Sequence, residues 1–182
     1  STSAFATGNC WVGTGGSYFW EIAPGTDTSS SDTGPSPTIT TGNYFFTEAS
    51  SGATGDTTDL ISPLVDLSGL TAPALSFDYH MFGSDMGTLD ILVNGTTSVL
   101  TLSGEQQSSD TNPWISAVID LGAFSGQTVS VTIRGTKGAG FESDMAIDNV
   151  SFNEAPSCFA PLNVSVTATT VDGATVDFTN AN

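Results

Sequence analysis

The stretch RGTKGAGFESDMAIDNVSF, residues 134–152, is the one around which the rest of this chain is organised. Its first half is rich in glycine, which permits tight or left-handed backbone, and residues 145–152 have the composition of a strand. At a period of two, Asp148 shares one face of that strand with three apolar residues, Ala146, Val150 and Phe152. The pattern predicts a glycine-rich loop that leads into a strand with a carboxylate on its core-facing side.

A lone buried charge such as the Asp148 carboxylate costs several kcal/mol, so it must be protonated, hydrogen-bonded to backbone amides or neutralised by a cation. Glu142, Asp144 and Asn149 supply further oxygen atoms nearby. Clustered hard oxygens beside a glycine-rich loop are the ligands that Ca²⁺ prefers. The alternative, which stays open at this point, is that Asp148 caps a strand bend at a β-bulge.

The strand-like segment GNYFFTEAS, residues 42–50, carries a second carboxylate, Glu48, beside aromatic side chains. At a period of two, Glu48 shares a face with Tyr44 and Phe46. Glu48 could mark only the edge of that strand, or it could be a further ligand. The predicted Ca²⁺ ligands are therefore Asp148, Asp144, Glu48 and Asn149.

The charge balance limits the possible partners. Two basic residues, Arg134 and Lys137, stand against nineteen acidic ones, and the formal net charge is −17 over 182 residues. Such a surface repels phosphate and sulfate groups, so nucleic acids and highly sulfated glycans are poor candidate partners. Divalent cations are better candidates.

The two cysteines, Cys10 and Cys158, lie near opposite ends of the chain. A bridge between them would stabilise the fold by about 4 to 5 kcal/mol through loop closure, and two free buried thiols are the alternative. We favour the bridge, because few lysines and many Ser, Thr and Gly residues are typical of a secreted protein. No apolar run approaches the roughly 20 residues that span a bilayer, and no signal peptide remains at Ser1. The expected location is secreted or cell surface.

The rest of the chain reads as short strands separated by turns. In ALSFDYHMF, residues 74–82, Leu75, Phe77, Tyr79 and Met81 alternate with polar residues, which predicts a strand with one buried and one solvated face. Asn94-Gly95 is a strong hairpin signal. About nine such strands and no helical period predict an all-β sandwich of two antiparallel sheets. Residues 24–41 lack periodicity and form a long loop, a kind of segment that is often functional.

The composition shifts after residue 153, where EAPSCFAP is a linker that contains prolines. Two alternating strands follow around an Asp-Gly turn, and two strands cannot form a stable domain alone. We therefore expect a domain at residues 1–153, followed at residues 154–182 by a linker and the first strands of an incomplete module. The alternative is that these strands pack on the first domain.

Four windows together resemble one family, the MAM domain (meprin, A5, receptor phosphatase mu), as it occurs in exported multidomain proteins of marine and soil bacteria. The windows are ISPLVDLSGL at 61–70, LSFDYHMFGSDMGTLDILV at 75–93, the strand with Trp114 before DLGAFSGQTVSVTIRGT at 120–136, and GAGFESDMAIDNVSF at 138–152. The resemblance covers residues 4–153. The tail from Ala155 resembles the start of a fibronectin type III module.

The resemblance implies a jelly-roll sandwich without catalytic activity that serves adhesion, oligomerisation or substrate recruitment. It also implies a cation site that here falls on Asp144, Asp148 and Asn149. Two departures remove negative charge from that site: Ala6 follows Phe5 where the family often has an acid, and Asn149 replaces a second acid. The several cysteines usual in the family are reduced to two, so only one bridge is possible.

Catalysis has little support in the sequence. The single histidine, His80, is predicted on the solvated face of its strand, and no nucleophile, base and orienting group can be identified beside it. One His and two distant Cys also exclude an ordinary zinc site. We expect no enzymatic activity.

Two functions therefore remain. The chain could bind an extracellular glycan or protein surface beside a secreted peptidase or glycosidase, or it could be a structural spacer repeat in a large surface adhesin, joined to neighbouring modules of the same chain. Aromatic residues for a binding surface would be Trp114, Tyr18, Trp20 and Phe141, although such residues are more often core in a sandwich. Thr57, in the sequence DTT at 56–58, resembles an O-glycosylation site of exported bacterial proteins.

Overall fold

The computed structural model describes residues 11–26, 28, 30–156, 162–170 and 173–179. In this part of the chain it contains fourteen β-strands and one short 3-10 helix, Gly122–Phe124, and no helix that could cross a membrane. The strands are β1 Val12–Thr14, β2 Phe19–Ala23, β3 Tyr44–Glu48, β4 Thr57–Ile61, β5 Val65–Asp66, β6 Pro73–His80, β7 Thr88–Val93, β8 Thr97–Ser103, β9 Ile115–Asp120, β10 Thr128–Val129, β11 Val131–Thr136, β12 Ala146–Glu154, β13 Leu162–Thr170 and β14 Gly173–Thr179.

Two five-stranded antiparallel sheets form the sandwich. The first sheet has the strand order β1-β4-β11-β7-β8, and the second has the order β2-β3-β12-β6-β9. Strands β5 and β10 pair as a small ribbon, and β13 and β14 pair with each other. Neighbours such as β3 and β12 are distant in sequence, which is typical of a jelly roll. The predicted all-β sandwich is confirmed. The division into two domains at residue 153 stays a prediction.

The core lies between the two sheets and is contributed by both. In β6, Leu75 and Phe77 are almost fully buried at 0% and 1% exposure, and Ile133 of β11 faces them from the first sheet at 0%. Because every second residue of a strand points to the same face, this burial confirms the core-facing side predicted for residues 74–82. The hairpin at Asn94-Gly95 is also confirmed, with φ of 53° and 71° and strands β7 and β8 on either side.

The loop of residues 30–43, called here the covering loop, packs over one end of the second sheet. Its backbone N–H groups donate from Gly34 to Phe82 O at 2.9 Å and from Ser36 to Asp110 O at 2.9 Å. The indole N–H of Trp114 donates to Ile39 O at 3.2 Å. The long loop predicted from composition is therefore an ordered cover that buries side chains on the outer face of the second sheet.

A β-bulge in β12 changes which residues face the core. Asp148 pairs with Asp78 and Ser151 pairs with Ser76, so β12 has one extra residue between these two pairs. Asn149, at φ 52°, lies at the bulge. The expectation that Asp148 faces the core together with Val150 and Phe152 is wrong, because the extra residue reverses the strand phase after Asp148.

The glycines of the predicted loop are needed for close packing. A Cβ at Gly138 would lie 1.7 Å from Asp85 O, and one at Gly140 would lie 1.9 Å from Asp85 Oδ2. Neither glycine has a positive φ of the kind that only glycine favours. The loop before β12 is therefore held against the turn that contains Asp85, and it delivers Asp144 to the start of β12.

Candidate functional site

Asp144 is the buried carboxylate of this chain's candidate site. Its side chain is 0% exposed and lies just before β12, beneath the covering loop. Its backbone N–H donates to Thr33 Oγ1 at 2.9 Å, and its Oδ1 accepts the N–H of Ala49 at 2.8 Å. Its Oδ2 is buried without a hydrogen-bond partner. A buried, half-satisfied carboxylate is costly when ionised, and a cation or proton would remove that cost.

Burial raises the pKa of Asp144 from 3.8 to about 7. The charge of Glu48 adds to this rise in pKa, whereas the Ala49 N–H, the Thr28 hydroxyl and the charge of Lys137 oppose it. The Thr28 hydroxyl nevertheless donates to Thr33 O at 3.0 Å, so it leaves Oδ2 of Asp144 without a proton donor. Near neutral pH the carboxyl group is therefore divided between its two protonation states.

Two further oxygen groups lie in the same region. Glu48, half-buried at the end of β3, accepts the N–H of Ser50 at 2.7 Å through Oε1, and its charge acts on Asp144. The hydroxyl of Tyr18 is buried without a hydrogen bond of normal geometry, and burial raises the pKa of Tyr18 above its ordinary value. Carboxylate and hydroxyl oxygens of this kind are hard ligands.

The four predicted Ca²⁺ ligands do not form one cluster. Asp144 and Glu48 lie together, whereas Asp148 and Asn149 lie at the bulge, where the Asn149 amide N–H donates to Asp148 Oδ1 at 2.7 Å. Asp144 and Asp148 are four residues apart in extended chain, a separation of about 13 Å. Within the described ranges, no three His, Cys, Asp or Glu side chains are placed to hold a metal ion. A cation at Asp144 would therefore need hydroxyl, carbonyl or water oxygens beside the two carboxylates.

His80 is fully buried, which corrects the predicted solvated position. It is 0% exposed and packs edge-on against Trp114, with ring centroids 5.8 Å apart. Neither ring nitrogen makes a hydrogen bond of normal geometry. Burial lowers the pKa of His80 from 6.5 to about 4, while a backbone group of Asn112 and the charge of Asp110 oppose the shift. The imidazole is neutral at physiological pH and has no access to an external substrate.

The aromatic residues proposed for a binding surface divide into two groups. Tyr18 and Trp20 are 1% and 0% exposed, so the prediction that they contribute to a binding surface is wrong. Trp114 is half-buried against Tyr44, with ring centroids 5.6 Å apart, beneath the covering loop. Phe141 is 48% exposed in the glycine loop and is available for contact.

Other predicted sites are placed as follows. Thr57 is exposed at the start of β4, so a modifying enzyme could reach it, and its glycosylation stays a prediction. Cys10 and Cys158 lie outside the described residues, and so do Phe5 and Ala6. The sequence analysis missed Thr28 and Thr33, whose hydroxyls lie around Asp144. Their only signal was their position in a long loop of unusual composition.

Characterised relatives carry this domain within longer chains. The "MAM domain-containing glycosylphosphatidylinositol anchor protein 1" of Gallus gallus is 34% identical over 136 residues, which are 68% of this chain and 13% of that protein. The human "MAM domain-containing protein 2" is 31% identical over 134 residues, 71% of this chain and 19% of that protein. The chain thus spans less than a fifth of either relative.

Solved structures agree on the fold. The K1 cleaved adhesin domain of Lys-gingipain from Porphyromonas gingivalis superposes with a TM-score of 0.57 at 13% identity, covering 86% of this chain and 97% of that one. At this identity the likeness concerns the fold alone. The profile of the family described as "MAM domain, meprin/A5/mu" matches residues 5–158. With a match over most of its length, the chain belongs to the MAM domain family.

Proposed function

We propose that this chain is a non-catalytic adhesion or substrate-binding module of a secreted or cell-surface multidomain protein, and that Ca²⁺ bound at Asp144 stabilises it. Membership of the MAM family over residues 5–158 is the observation that carries the binding role. The chain spans 13% and 19% of the two relatives described above, which supports a module within a larger protein. One of these relatives is named as a glycosylphosphatidylinositol anchor protein, which supports a cell-surface setting.

The absence of catalysis is supported by the position of the one histidine. General acid–base catalysis requires a side chain within hydrogen-bond reach of the substrate. His80 is 0% exposed, and burial lowers its pKa to about 4. The chain's own acid–base chemistry would therefore have to rest on carboxylates, and the buried one, Asp144, is enclosed by the covering loop.

The role of Ca²⁺ is supported by the unpartnered Oδ2 of Asp144. An ion there would supply a positive charge to a carboxylate that the chain offsets poorly, since the net charge is −17. Asp144 and Glu48 would hold the ion, with hydroxyl and carbonyl oxygens of the covering loop completing the shell. If the ion binds only the folded protein, free Ca²⁺ at a hundredfold excess over Kd adds about 2.7 kcal/mol to the free energy of unfolding.

An array of extracellular glycans and proteins, probed with the chain in Ca²⁺ and in EDTA, tests the binding role. We expect retention on a subset of glycans or proteins in Ca²⁺ and weaker retention in EDTA. A structural spacer would bind none of them, and that result would contradict the proposed function. Turnover of a peptide or glycan substrate that is lost when a single carboxylate is replaced would contradict the non-catalytic assignment.

A further inference from the structure

We infer that a cleft beside the β12 bulge is a binding subsite for a single neutral sugar ring. The inference rests on the proposed binding function and names its ligand class. The cleft has a volume of about 210 Å³ and is bounded by β2, β3, the bulge of β12 and Trp11, the residue before β1. Asp144 is not among the residues that line this cleft.

The bulge opens this cleft. Strands β3 and β12 pair only at Ala146–Phe46 and Ile147–Phe45, and past Ile147 the extra residue takes β12 out of register. Asn149 is held there at φ 52°, and its Nδ2 donates to Asp78 Oδ2 at 2.8 Å. Asn is one of the few residues other than glycine that occupy the left-handed region, and residues held there cluster at functional sites.

One side of the cleft is apolar. Trp11 is half-buried, and its ring is tilted against Phe45 with centroids 6.4 Å apart. Ile22, in the edge strand β2, is 48% exposed, and Val150 closes the wall from the bulge. The electron-rich face of an aromatic ring attracts the positive C–H edge of a neighbouring group. A pyranose has one such C–H face and fits this wall.

The other side of the cleft carries planar polar side chains. Asp148 uses Oδ1 to accept the Asn149 N–H, and among the described residues no hydrogen bond occupies its Oδ2. Asn149 donates through Nδ2 to Asp78, and within the described ranges no hydrogen bond to its Oδ1 is found. Asn43 is exposed at the rim. A carboxylate accepts two hydroxyl groups, and an amide both donates and accepts. Adjacent hydroxyl groups of a sugar match this set.

The charge and the size of the cleft limit the class of ligand further. No basic residue lines the cleft and the net charge is −17, so uronic acids and sulfated sugars are repelled. At about 210 Å³ the cleft is smaller than the roughly 300 to 1,000 Å³ pockets that hold drug-sized ligands, which favours a ligand as small as one sugar ring. A protein partner would need roughly 1,000 Å² of contact, far more than the cleft offers.

A heteronuclear NMR titration of the full chain with the methyl glycosides of glucose, galactose, mannose and xylose tests this inference. We expect at least one of them to shift the Trp11 indole signal and the Asp148 and Asn149 amide signals, and glucuronate to shift none. Trp11→Ala and Asn149→Gly should each weaken binding tenfold or more. Asn149→Gly keeps a residue that accepts the positive φ, so it removes the amide without straining the bulge.

Leu64→Ser, which removes an exposed apolar side chain outside the cleft, is the matched control and should leave binding unchanged. The inference is overturned if none of the four glycosides shifts these signals, or if both cleft variants bind as wild type does. If Trp11→Ala and Asn149→Gly both still bind a ligand found on the array, the cleft is not its binding site. That result overturns this inference and leaves the proposed function standing. An array without any bound ligand overturns the proposed function itself.

Discussion

In the absence of Ca²⁺, Asp144→Asn should become more stable relative to the wild type as pH rises from 4 to above 7. Burial raises the pKa of Asp144 from 3.8 to about 7, so the folded state holds a proton over this range that the unfolded state has released. Well below pH 4 the carboxyl group is protonated in both states, so it adds no pH dependence to the free energy of unfolding. As pH rises, the free energy of unfolding of the wild type falls relative to that of Asp144→Asn, and the difference is largest above pH 7. The difference between the two pKa values corresponds to as much as about 4 kcal/mol.

The assay is urea unfolding of both proteins in EDTA at half-unit steps from pH 4 to pH 8.5. His80 acts in the opposite direction, because burial lowers its pKa from 6.5 to about 4, and stability due to its neutral form is lost as pH falls. The contributions of Asp144 and His80 to the wild-type curve therefore oppose each other between pH 4 and 6.5. Since His80 is present in both proteins, subtracting the two curves isolates Asp144.

Above pH 7 in EDTA, we expect Asp144→Asn to be the more stable protein, because it removes an uncompensated buried charge. Asp148→Asn, which removes the same charge from a half-buried carboxylate at the bulge, is the matched control for the change in net charge. A difference between wild type and Asp144→Asn that is constant from pH 4 to 8.5 would refute the reasoning about the buried carboxylate.

Three further predictions concern other parts of the fold. His80→Phe should gain stability over wild type as pH falls from 6.5 to 4, by up to about 3 kcal/mol, and an unchanged difference across that range would mean that His80 does not titrate as a buried group. Gly138→Ala should lower the melting temperature strongly, because its Cβ would lie 1.7 Å from Asp85 O, whereas Gly16→Ala, with no atom within 4 Å, should have little effect. Ile133→Ala, at a 0% exposed core position, should reduce the free energy of unfolding by about 2 to 5 kcal/mol in urea, and a loss below about 1 kcal/mol would contradict its place in the core.

Local patterns predicted the sheets well, because the alternation of a strand depends on its own residues. Leu75 and Phe77 face the core as predicted, and Asn94-Gly95 forms its hairpin. The same reasoning placed Asp148 in the core and failed, because one inserted residue at Asn149 reverses the phase and leaves no trace in the composition. Register within a strand is thus readable from sequence only where the strand is regular.

Burial of a residue by segments that are distant in sequence could not be predicted from the residues next to it either. His80 alternates with core residues and was expected in solvent, yet Trp114 and the covering loop bury it from outside the sheet. Asp144 was recognised as a candidate ligand, whereas its complete burial depends on Thr33, which is 111 positions away in sequence. The cleft at the bulge combines Trp11, β2, β3 and β12, which only the strand order of the second sheet brings together.

Isothermal titration of Ca²⁺ into the metal-free protein at pH 7.5 tests the stabilising ion at Asp144 most directly. We expect saturable binding of a single ion by the wild type and by Asp148→Asn, and loss of that binding in Asp144→Asn. Because the ion displaces the proton from a group whose pKa is about 7, affinity should also fall as pH is lowered to 5.5. Absence of saturable binding by the wild type, or equal binding by Asp144→Asn, would contradict the account.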